Sequence, residues 1–458
     1  MAAAEPPGLM KKPESGGRMR LPPAHTIYAP ATAAGRAAIA IVRLSGSEAG
    51  PALAALAGGL PPARAARRAR LRDPETGEAI DEALVLWFPA PRSATGEDMA
   101  ELHVHGSRAV LAAAMRALAA QGLRLAEPGE FTRRAFLNGK LDLTQAEAVA
   151  DLAAADTEAQ RRQALRQLDG ALGQLYRDWS GRLLRLLAHL EAALDFPDED
   201  LPPEIAARVA GDSAALADEI AGHLADGRRG ERLRDGIAVA ILGPANAGKS
   251  SLLNQLARRE AAITSPIAGT TRDVIEVAVD LAGYPVVLAD TAGLRDSADL
   301  IEQEGVRRAL ARAEAAELRL FLFDAARPQD ATKAARWPGP ETLLVANKID
   351  LAADRAALPE GAFAISALTG EGIAELAAAI AARVAGNYDG AAPLLTRARH
   401  RAALESAAAA LHRSLCADLP ELRAEDLRLA WRSLGQITGR ADVEDLLDVI
   451  FADFCLGK

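Results

Sequence analysis

The sequence predicts an α/β domain with a mostly parallel sheet, inserted into a discontinuous helical domain and preceded by a separate N-terminal α/β domain. Three changes of hydrophobic period indicate this. Short apolar runs give way to a helical repeat at about residue 144, strand-like runs return at residue 237, and the pattern is helical again after about residue 386. Neither helical stretch has a full core alone, so we expect the two stretches to pack together.

The N-terminal part divides into a tail and a domain. Residues 1–24 carry basic residues among prolines and glycines and have no apolar segment, which predicts a disordered extension rather than a secretory signal. Met19 is an alternative start. Residues 25–138 alternate short apolar runs with turns, as in an α/β domain. Strands are predicted at 37–44, 83–88 and 100–104, and a helix at 107–121.

The helical domain is assigned to residues 139–234 and 386–458. Leucines recur at spacings of three and four from Leu165 to Leu194, which predicts one long helix with a single apolar face. Between the two helical stretches, residues 235–385 alternate strands with helices. The strands are predicted at 237–242, 274–281, 285–290, 318–324, 342–346 and 362–366.

Composition excludes several classes of protein. No apolar stretch approaches the ~18 residues of a membrane span, and the two cysteines are too few for a disulfide framework. We therefore expect a cytoplasmic protein. The formal net charge of −9 excludes a globally basic nucleic-acid-binding surface. The arginine-rich run at 64–72 is interpreted as a solvated face.

A phosphate-binding loop follows the first strand of the inserted domain. Residues 243–250 read GPANAGKS and match G-x-x-x-x-G-K-[ST] between a strand and a helix. The glycines let backbone N–H groups face the phosphates, Lys249 reaches the β- and γ-phosphates, and Ser250 offers a hydroxyl to Mg²⁺. Asn246 is as consistent with a loop filler as with a cation ligand.

Further motifs stand at later strand ends. The run 290–293 (DTAG) can hold the Mg²⁺ shell and sense the γ-phosphate, and Thr270 and Thr271 suit a first switch. The run 347–350 (NKID) provides Asp350, which can accept two hydrogen bonds from guanine. Adenine lacks that donor pair, so the ordered motifs predict GTP. The predicted GTP contacts are Asn246, Ala247, Gly248, Lys249, Ser250, Ser251, Ser265, Thr270, Thr271, Asp290, Thr291, Ala292, Gly293, Asn347, Lys348, Asp350, Ser366, Ala367 and Leu368.

The residue that would position the attacking water is not fixed by these motifs. Many GTPases place a glutamine directly after the D-x-x-G glycine, but here Leu294 stands there. Either the protein is a slow switch, or a following carboxylate acts instead. The carboxylates that follow are Asp296, Asp299, Glu302 and Glu304.

The motifs together resemble a known family. GPANAGKSS, AGTTRD, DTAGLR, NKID and SALTGEG resemble those of the potassium-activated translation-factor-related GTPases. Residues 26–46, 95–107 and 128–143 and the final FCLGK are similar to those of the MnmE (TrmE) family of tRNA modification GTPases. The resemblance covers about residues 25–458.

The resemblance implies an N-terminal folate-binding domain that forms a homodimer, and a heterotetramer with the FAD-dependent MnmG (GidA) subunit. Together they would add an aminomethyl or carboxymethylaminomethyl group at C5 of the wobble uridine of certain tRNAs. It implies 5-formyltetrahydrofolate contacts at Arg43, Glu101, Lys140 and Lys458. It also implies K⁺ contacts at Asn246, Ser265, Ile267 and Thr270, Mg²⁺ contacts at Ser250 and Thr271, and catalytic roles for Lys249 and Glu302.

Two alternatives stay open at this stage. The GTPase motifs alone also fit a ribosome-assembly switch without modification chemistry, or a switch that needs a separate activating protein. From the residues alone, Arg43 is read as a solvated side chain at a strand end, and the C-terminal Lys458 as a frayed terminus.

Overall fold

The structure is a computed structural model, and its described part forms two compact units: residues 1–146 with 443–458, and residues 147–442. The predicted extension at 1–24 lies outside the described part. The described residues are 25–195, 203–259, 276–290, 311, 314–336, 342–352, 358–388, 395–441, 447, 450–451, 454–455 and 457.

The first unit is built on a six-stranded sheet in the order β3-β4-β5-β2-β1-β6, and the three predicted strands and the predicted helix are confirmed. The arginine-rich run contributes the edge strand β3, in which Ala69 and Leu71 face the core while Arg68 and Arg70 are exposed. The elements are β1 (Ile27–Pro30), β2 (Ala37–Ser45), α1 (Ala49–Ala57), β3 (Arg67–Arg72), β4 (Ala79–Phe88), β5 (Met99–Gly106), α2 (Arg108–Ala120), β6 (Arg124–Leu125) and α3 (Glu130–Leu137).

The helices of the second unit confirm that the two predicted helical stretches pack together. Their shared core joins Tyr176 and Trp179 from the first stretch to Leu404, Leu411 and Leu427 from the second, all nearly inaccessible to solvent. The helices are α4 (Leu143–Ala154), α5 (Glu158–Leu168), α6 (Ala171–Asp195), α7 (Pro203–Leu224) and α8 (Arg229–Asp235), followed after the inserted sheet by α11 (Ala398–Cys416) and α12 (Pro420–Thr438).

The prediction of one long helix from Leu165 to Leu194 was wrong. The chain breaks between α5 and α6 at Asp169 and Gly170, where Gly170 adopts a left-handed φ of 91°. Glycine takes this conformation without steric cost, so it ends the first helix and lets the second begin in a new direction. Leu165 and Leu168 therefore belong to α5.

The inserted sheet is mostly parallel, as predicted, with the strand order β12-β11-β10-β7-β9-β8 and with β8 antiparallel to β9 at one edge. Parallel pairing brings the carboxyl ends of β7, β9, β10 and β11 to one edge of the sheet. The elements are β7 (Ile237–Leu242), α9 (Lys249–Arg259), β8 (Glu276–Leu281), β9 (Tyr284–Asp290), β10 (Leu318–Asp324), a 3-10 helix (Pro328–Arg336), β11 (Thr342–Asn347), β12 (Phe363–Ala364) and α10 (Ile373–Tyr388).

None of the helices described is long and apolar enough to cross a membrane.

A buried carboxylate ties the two helical stretches together. Glu147 of α4 is 1% exposed and accepts hydrogen bonds from Arg399 at 2.6 and 2.7 Å, and it lies 2.9 Å from Nε2 of His400. Burial opposes ionisation of Glu147, but His400 and Arg399 together lower its pKa far below the usual carboxyl range. Burial also lowers the pKa of His400, so a neutral imidazole donating to an ionised Glu147 is the form we assign.

We predict that Glu147→Gln lowers the free energy of unfolding by about 3–5 kcal/mol, because it leaves the partly buried guanidinium groups of Arg397 and Arg399 without their anion. Since folding depresses the pKa of Glu147, its contribution is present at neutral pH and disappears only in strong acid. Urea denaturation followed by helical circular dichroism measures the change. Glu158→Gln, which removes an exposed partner of Arg161 and Arg162, is the control and should change stability little. Equal effects of the two substitutions would contradict the prediction.

Candidate functional site

The phosphate-binding loop connects β7 to α9 through a tightly curled backbone. Gly243 has a φ of 142° and Gly248 a φ of 95°. A Cβ atom on Gly243 would overlap the carbonyl of Leu322, and one on Gly248 would overlap the Asn347 amide. Asn246 also has a left-handed φ, of 61°, and its side chain is exposed. The loop therefore requires glycine at both ends and presents Asn246 outward.

Lys249 opens α9 and is almost fully buried. Its Nζ donates to the carbonyls of Gly243 and Pro244, each at 3.1 Å, so the ammonium group lies against the loop. The N-terminal N–H groups of an 11-residue helix begin at the same point. Because a helix N-terminus and an ammonium group both attract anions, this arrangement fits the phosphates of a nucleotide. Ser250 and Ser251 follow on the first turn with exposed side chains.

Asn347, at the end of β11, connects the loop to a second motif. Its Nδ2 donates to the carbonyl of Ala247 at 2.7 Å, and its Oδ1 accepts from the N–H of Ala367 at 2.9 Å. The residue is 2% exposed, so neither bond competes with water. One amide side chain thus fixes the distance between the phosphate-binding loop and the segment 366–368.

Lys348 is held in a defined position beside Asn347. It has a left-handed φ of 66°, and its Nζ lies 2.8 Å from Oδ2 of Asp324 at the end of β10. Partial burial opposes ionisation of Asp324, but the hydrogen bond from Lys348 prevails and lowers the pKa of that carboxyl. Asp324 was not among the predicted site residues, although a carboxylate that ends a strand whose other residues are all buried is a usable signal.

The predicted base-binding residues lie at the same edge of the sheet. Asp350 is exposed two residues after Lys348. Ser366 is fully buried, and its Oγ accepts from the N–H of Thr369 at 3.1 Å, which shapes the turn that follows. Leu368 is 81% exposed. An exposed carboxylate and an exposed apolar side chain near a rigid turn suit a planar base with a donor edge.

The structure brings together most of the described GTP-site residues and leaves the switches outside its described part. The residues brought together at this edge of the sheet are Asn246, Ala247, Gly248, Lys249, Ser250, Asn347, Lys348, Ser366 and Ala367. Asp290 ends β9, but its side chain is outside the described residues. Also outside are Ser265, Ile267, Thr270, Thr271, Thr291, Ala292, Gly293 and Glu302.

A second polar cluster lies in the first unit. Arg43 on β2 stands directly opposite Glu101 on β5, and its Nε and Nη2 lie 3.1 and 3.0 Å from the same carboxylate oxygen. Its Nη1 donates to the carbonyl of Gly457 at 3.3 Å, and its guanidinium lies 5.9 Å from the ring centroid of Phe131. The reading of Arg43 as a solvated side chain at a strand end was wrong: it lies inside β2 and is half-buried by these contacts.

The other two predicted folate contacts, Lys140 and Lys458, are not seen in contact with the Arg43–Glu101 pair in the described part of the chain. Lys140 is exposed, and its Cγ lies near the loop at Gly96; within the described part of the chain no hydrogen bond joins its side chain to Arg43 or Glu101. Lys458 lies outside the described residues. Its neighbour Gly457 is buried, and a Cβ there would overlap the carbonyl of Pro30, so Gly457 itself packs closely against the end of β1. His103 lies 3.0 Å from the second oxygen of Glu101.

The parallel sheet, the curled loop with its lysine, and the Asn-Lys-x-Asp segment at the carboxyl ends of the strands define a P-loop GTPase. Two family models match the chain: "MnmE helical domain" over residues 143–455 and "GTP-binding protein TrmE N-terminus" over residues 26–140. The chain belongs to the MnmE (TrmE) family of tRNA modification GTPases.

Relatives named tRNA modification GTPase MnmE match this chain over nearly its whole length. The tRNA modification GTPase MnmE of Rhodospirillum rubrum is 60% identical over 451 residues, which cover 94% of this chain and 99% of that protein. The protein of the same name from Parvibaculum lavamentivorans is 60% identical, covering 94% of this chain and 100% of that protein. These matches favour tRNA modification over the ribosome-assembly alternative.

We predict that Asp350→Asn weakens GTP binding by roughly 10- to 100-fold and improves binding of xanthosine triphosphate, because an amide reverses the donor–acceptor pattern that guanine requires. Calorimetric titration with both nucleotides measures this exchange. Glu360→Gln, an exposed acidic residue after the same strand, is the control and should leave both affinities unchanged. Unchanged GTP affinity in the Asp350 variant would remove Asp350 from the base site.

Proposed function

We propose that this chain hydrolyses GTP and, with an FAD-dependent MnmG partner, adds a carboxymethylaminomethyl or aminomethyl group at C5 of the wobble uridine of certain tRNAs in the cytoplasm. The observation that carries the proposal is the full-length match to proteins named tRNA modification GTPase, together with a complete P-loop and base motif in the structure. The experiment that tests it is mass spectrometry of wobble uridines in tRNA from a strain without this gene.

The chain's own residues have distinct roles in the nucleotide reaction. Lys249, whose ammonium group lies against the loop, would neutralise charge on the β- and γ-phosphates. The N–H groups of the loop would orient the phosphates for in-line attack. Asn347 keeps the base segment at a fixed distance from the loop. The hydroxyl of Ser250, with Thr271 from the first switch, would hold Mg²⁺.

We infer that a second cation compensates for the absence of an evident arginine finger. Asn246 is the described residue for this role, since its left-handed backbone exposes the side-chain amide beside the phosphate loop. Ser265, Ile267 and Thr270 would supply further oxygen ligands for K⁺. A bound cation would place positive charge next to the phosphate oxygens on which negative charge develops in the transition state. Glu302 would orient the attacking water, since Leu294 has no polar atom to do so.

We predict that Glu302→Ala binds GTP normally but loses turnover by at least about 100-fold, as expected on removing a group that positions the nucleophile. Turnover of the unaltered chain should be faster in KCl than in NaCl at equal ionic strength. Phosphate-release assays and nucleotide titration separate the two effects. Glu304→Ala is the matched control and should hydrolyse GTP normally. Equal turnover in both salts would refute the role of K⁺.

The Arg43–Glu101 cluster supports a folate site in the N-terminal domain. The half-buried guanidinium is a donor for a carboxylate or carbonyl, and Glu101 can accept from an amino-pyrimidine edge. We propose that 5-formyltetrahydrofolate or a related one-carbon donor binds here, with Lys140 and Lys458 adding positive charge. Support for a role of the C-terminal tail comes from Gly457, whose carbonyl accepts a hydrogen bond from Arg43 and which packs against Pro30 at the end of β1.

We predict that deleting residues 455–458 weakens 5-formyltetrahydrofolate binding and abolishes restoration of wobble-uridine modification in the gene-deletion strain, while GTP hydrolysis stays nearly intact. Gly457→Ala should reproduce the loss, because its Cβ has no room beside Pro30. Cys455→Ser, an exposed change in the same tail, is the control and should leave folate binding unchanged. Calorimetry and tRNA mass spectrometry measure the outcomes. Normal folate affinity in the truncated protein would exclude the tail from the site.

A further inference from the structure

A groove outside the nucleotide and folate clusters runs between α6 and α7 of the helical domain. Its volume is about 480 Å³. The apolar side chains Leu186 and Val209 form its floor and belong to the helical core. The groove is therefore built on a packed surface of two helices, and not on a loop.

One wall of the groove carries a row of basic side chains. Arg182, Arg185 and His189 line it from α6. Their spacing of three and then four residues places them on one face of the helix. At ~1.5 Å per residue, the row is ~10 Å long. It is therefore longer than a single phosphate group and suits a run of anionic groups.

Arg182 is held in place at the start of this row. Its Nη1 donates to Oε2 of Glu219 on α7 at 2.6 Å, and the same oxygen accepts from the indole of Trp179 at 3.1 Å. The hydrogen bond from Arg182 lowers the pKa of Glu219. Arg185 is exposed and has no ion pair among the described residues. Its charge is therefore available to a ligand.

The opposite wall adds Arg208 from α7, whose side chain is 81% exposed. Asp212, the acidic residue of the lining, lies 3.9 Å from Arg208. An exposed pair at this distance and helical spacing is weak, so Arg208 can exchange Asp212 for a stronger anion. Basic side chains thus face the groove from both sides.

We propose that this groove binds the phosphate backbone of RNA, and that it is a contact surface for the tRNA on which the proposed function acts. The inference rests on that proposed function for the identity of the RNA. Arginine on both walls suits phosphate, because guanidinium groups donate bidentate hydrogen bonds to phosphate oxygens. A chain with net charge −9 has no overall attraction for a polyanion, so a local basic groove would direct where RNA can approach.

The test is the double substitution Arg185→Gln and Arg208→Gln in the full chain, which leaves the Arg182–Glu219 pair intact. Fluorescence anisotropy with a labelled tRNA transcript that carries a wobble uridine should show about tenfold weaker binding at about 0.1 M salt. The slope of log affinity against log salt should fall by about 2, one for each lost phosphate contact. Circular dichroism establishes that the helices are unchanged.

The matched control is Arg116→Gln with Arg432→Gln, which removes two exposed arginines outside the groove. It should bind the transcript with unaltered affinity and salt slope. Equal loss in the control and the groove variant would overturn the proposal, since net charge alone would then explain binding. A groove variant that binds tRNA normally but no longer binds polyglutamate would overturn it in favour of an acidic protein segment.

Mass spectrometry of tRNA separates this proposal from the proposed function. If the unaltered chain restores wobble-uridine modification while the groove variant binds the transcript normally, the groove assignment is wrong and the function stands. If transcript binding depends on the groove but no modification depends on the gene, the groove assignment stands and the function is wrong.

Discussion

The two hydrogen bonds of the Asn347 side chain are the interaction on which the predicted nucleotide site depends. They join the phosphate-binding loop to the segment after β12, two parts of the chain that are 120 residues apart between Ala247 and Ala367. The bonds are buried, so losing either leaves a polar backbone group without water or protein partner. Gly248 is required for the same reason, because a side chain there would displace the amide. Loop curvature and base position are therefore set together.

The strand β10 connects this site to the rest of the second unit. Asp324 at its carboxyl end fixes Lys348. Glu317, just before its first residue, accepts hydrogen bonds from Arg232 of α8 at 3.2 Å and from Tyr388 of α10 at 2.6 Å. Burial, and then the bond to Glu317, raise the pKa of Tyr388, so it stays a neutral donor. The carboxylate of Glu317 thus joins α8, which precedes the inserted sheet, to α10, which follows it. The strand β10 connects Glu317 at its start to the Asp324–Lys348 pair at its end.

The parts that the sequence predicted are those governed by local pattern. The strands β7 and β10 are mostly apolar because almost all of their residues are buried, and their predicted bounds match. The break at Gly170 was missed because the leucine spacing continues through it. The pairing of Arg43 with Glu101 was missed because antiparallel register, and not sequence distance, places residues 58 apart opposite each other. The switch residues and Glu302, outside the described part, stay predictions.

The use of lysine or arginine at several positions agrees with the arrangement of the hydrogen-bond acceptors around the side chain. Only seven of the 53 basic residues are lysine, yet Lys249 and Lys348 both lie in the predicted nucleotide site. The ammonium group of Lys249 donates to two backbone carbonyls and that of Lys348 to one carboxylate, and a compact point charge suits both settings. Arg399, by contrast, donates to both carboxylate oxygens of Glu147, as the planar fork of a guanidinium allows. Arg185 and Arg208, exposed on opposite walls of one groove, have that same geometry available for phosphate oxygens. Lysine thus provides point charges at two positions of the predicted nucleotide site, whereas arginine lines the broader surface that we propose for RNA.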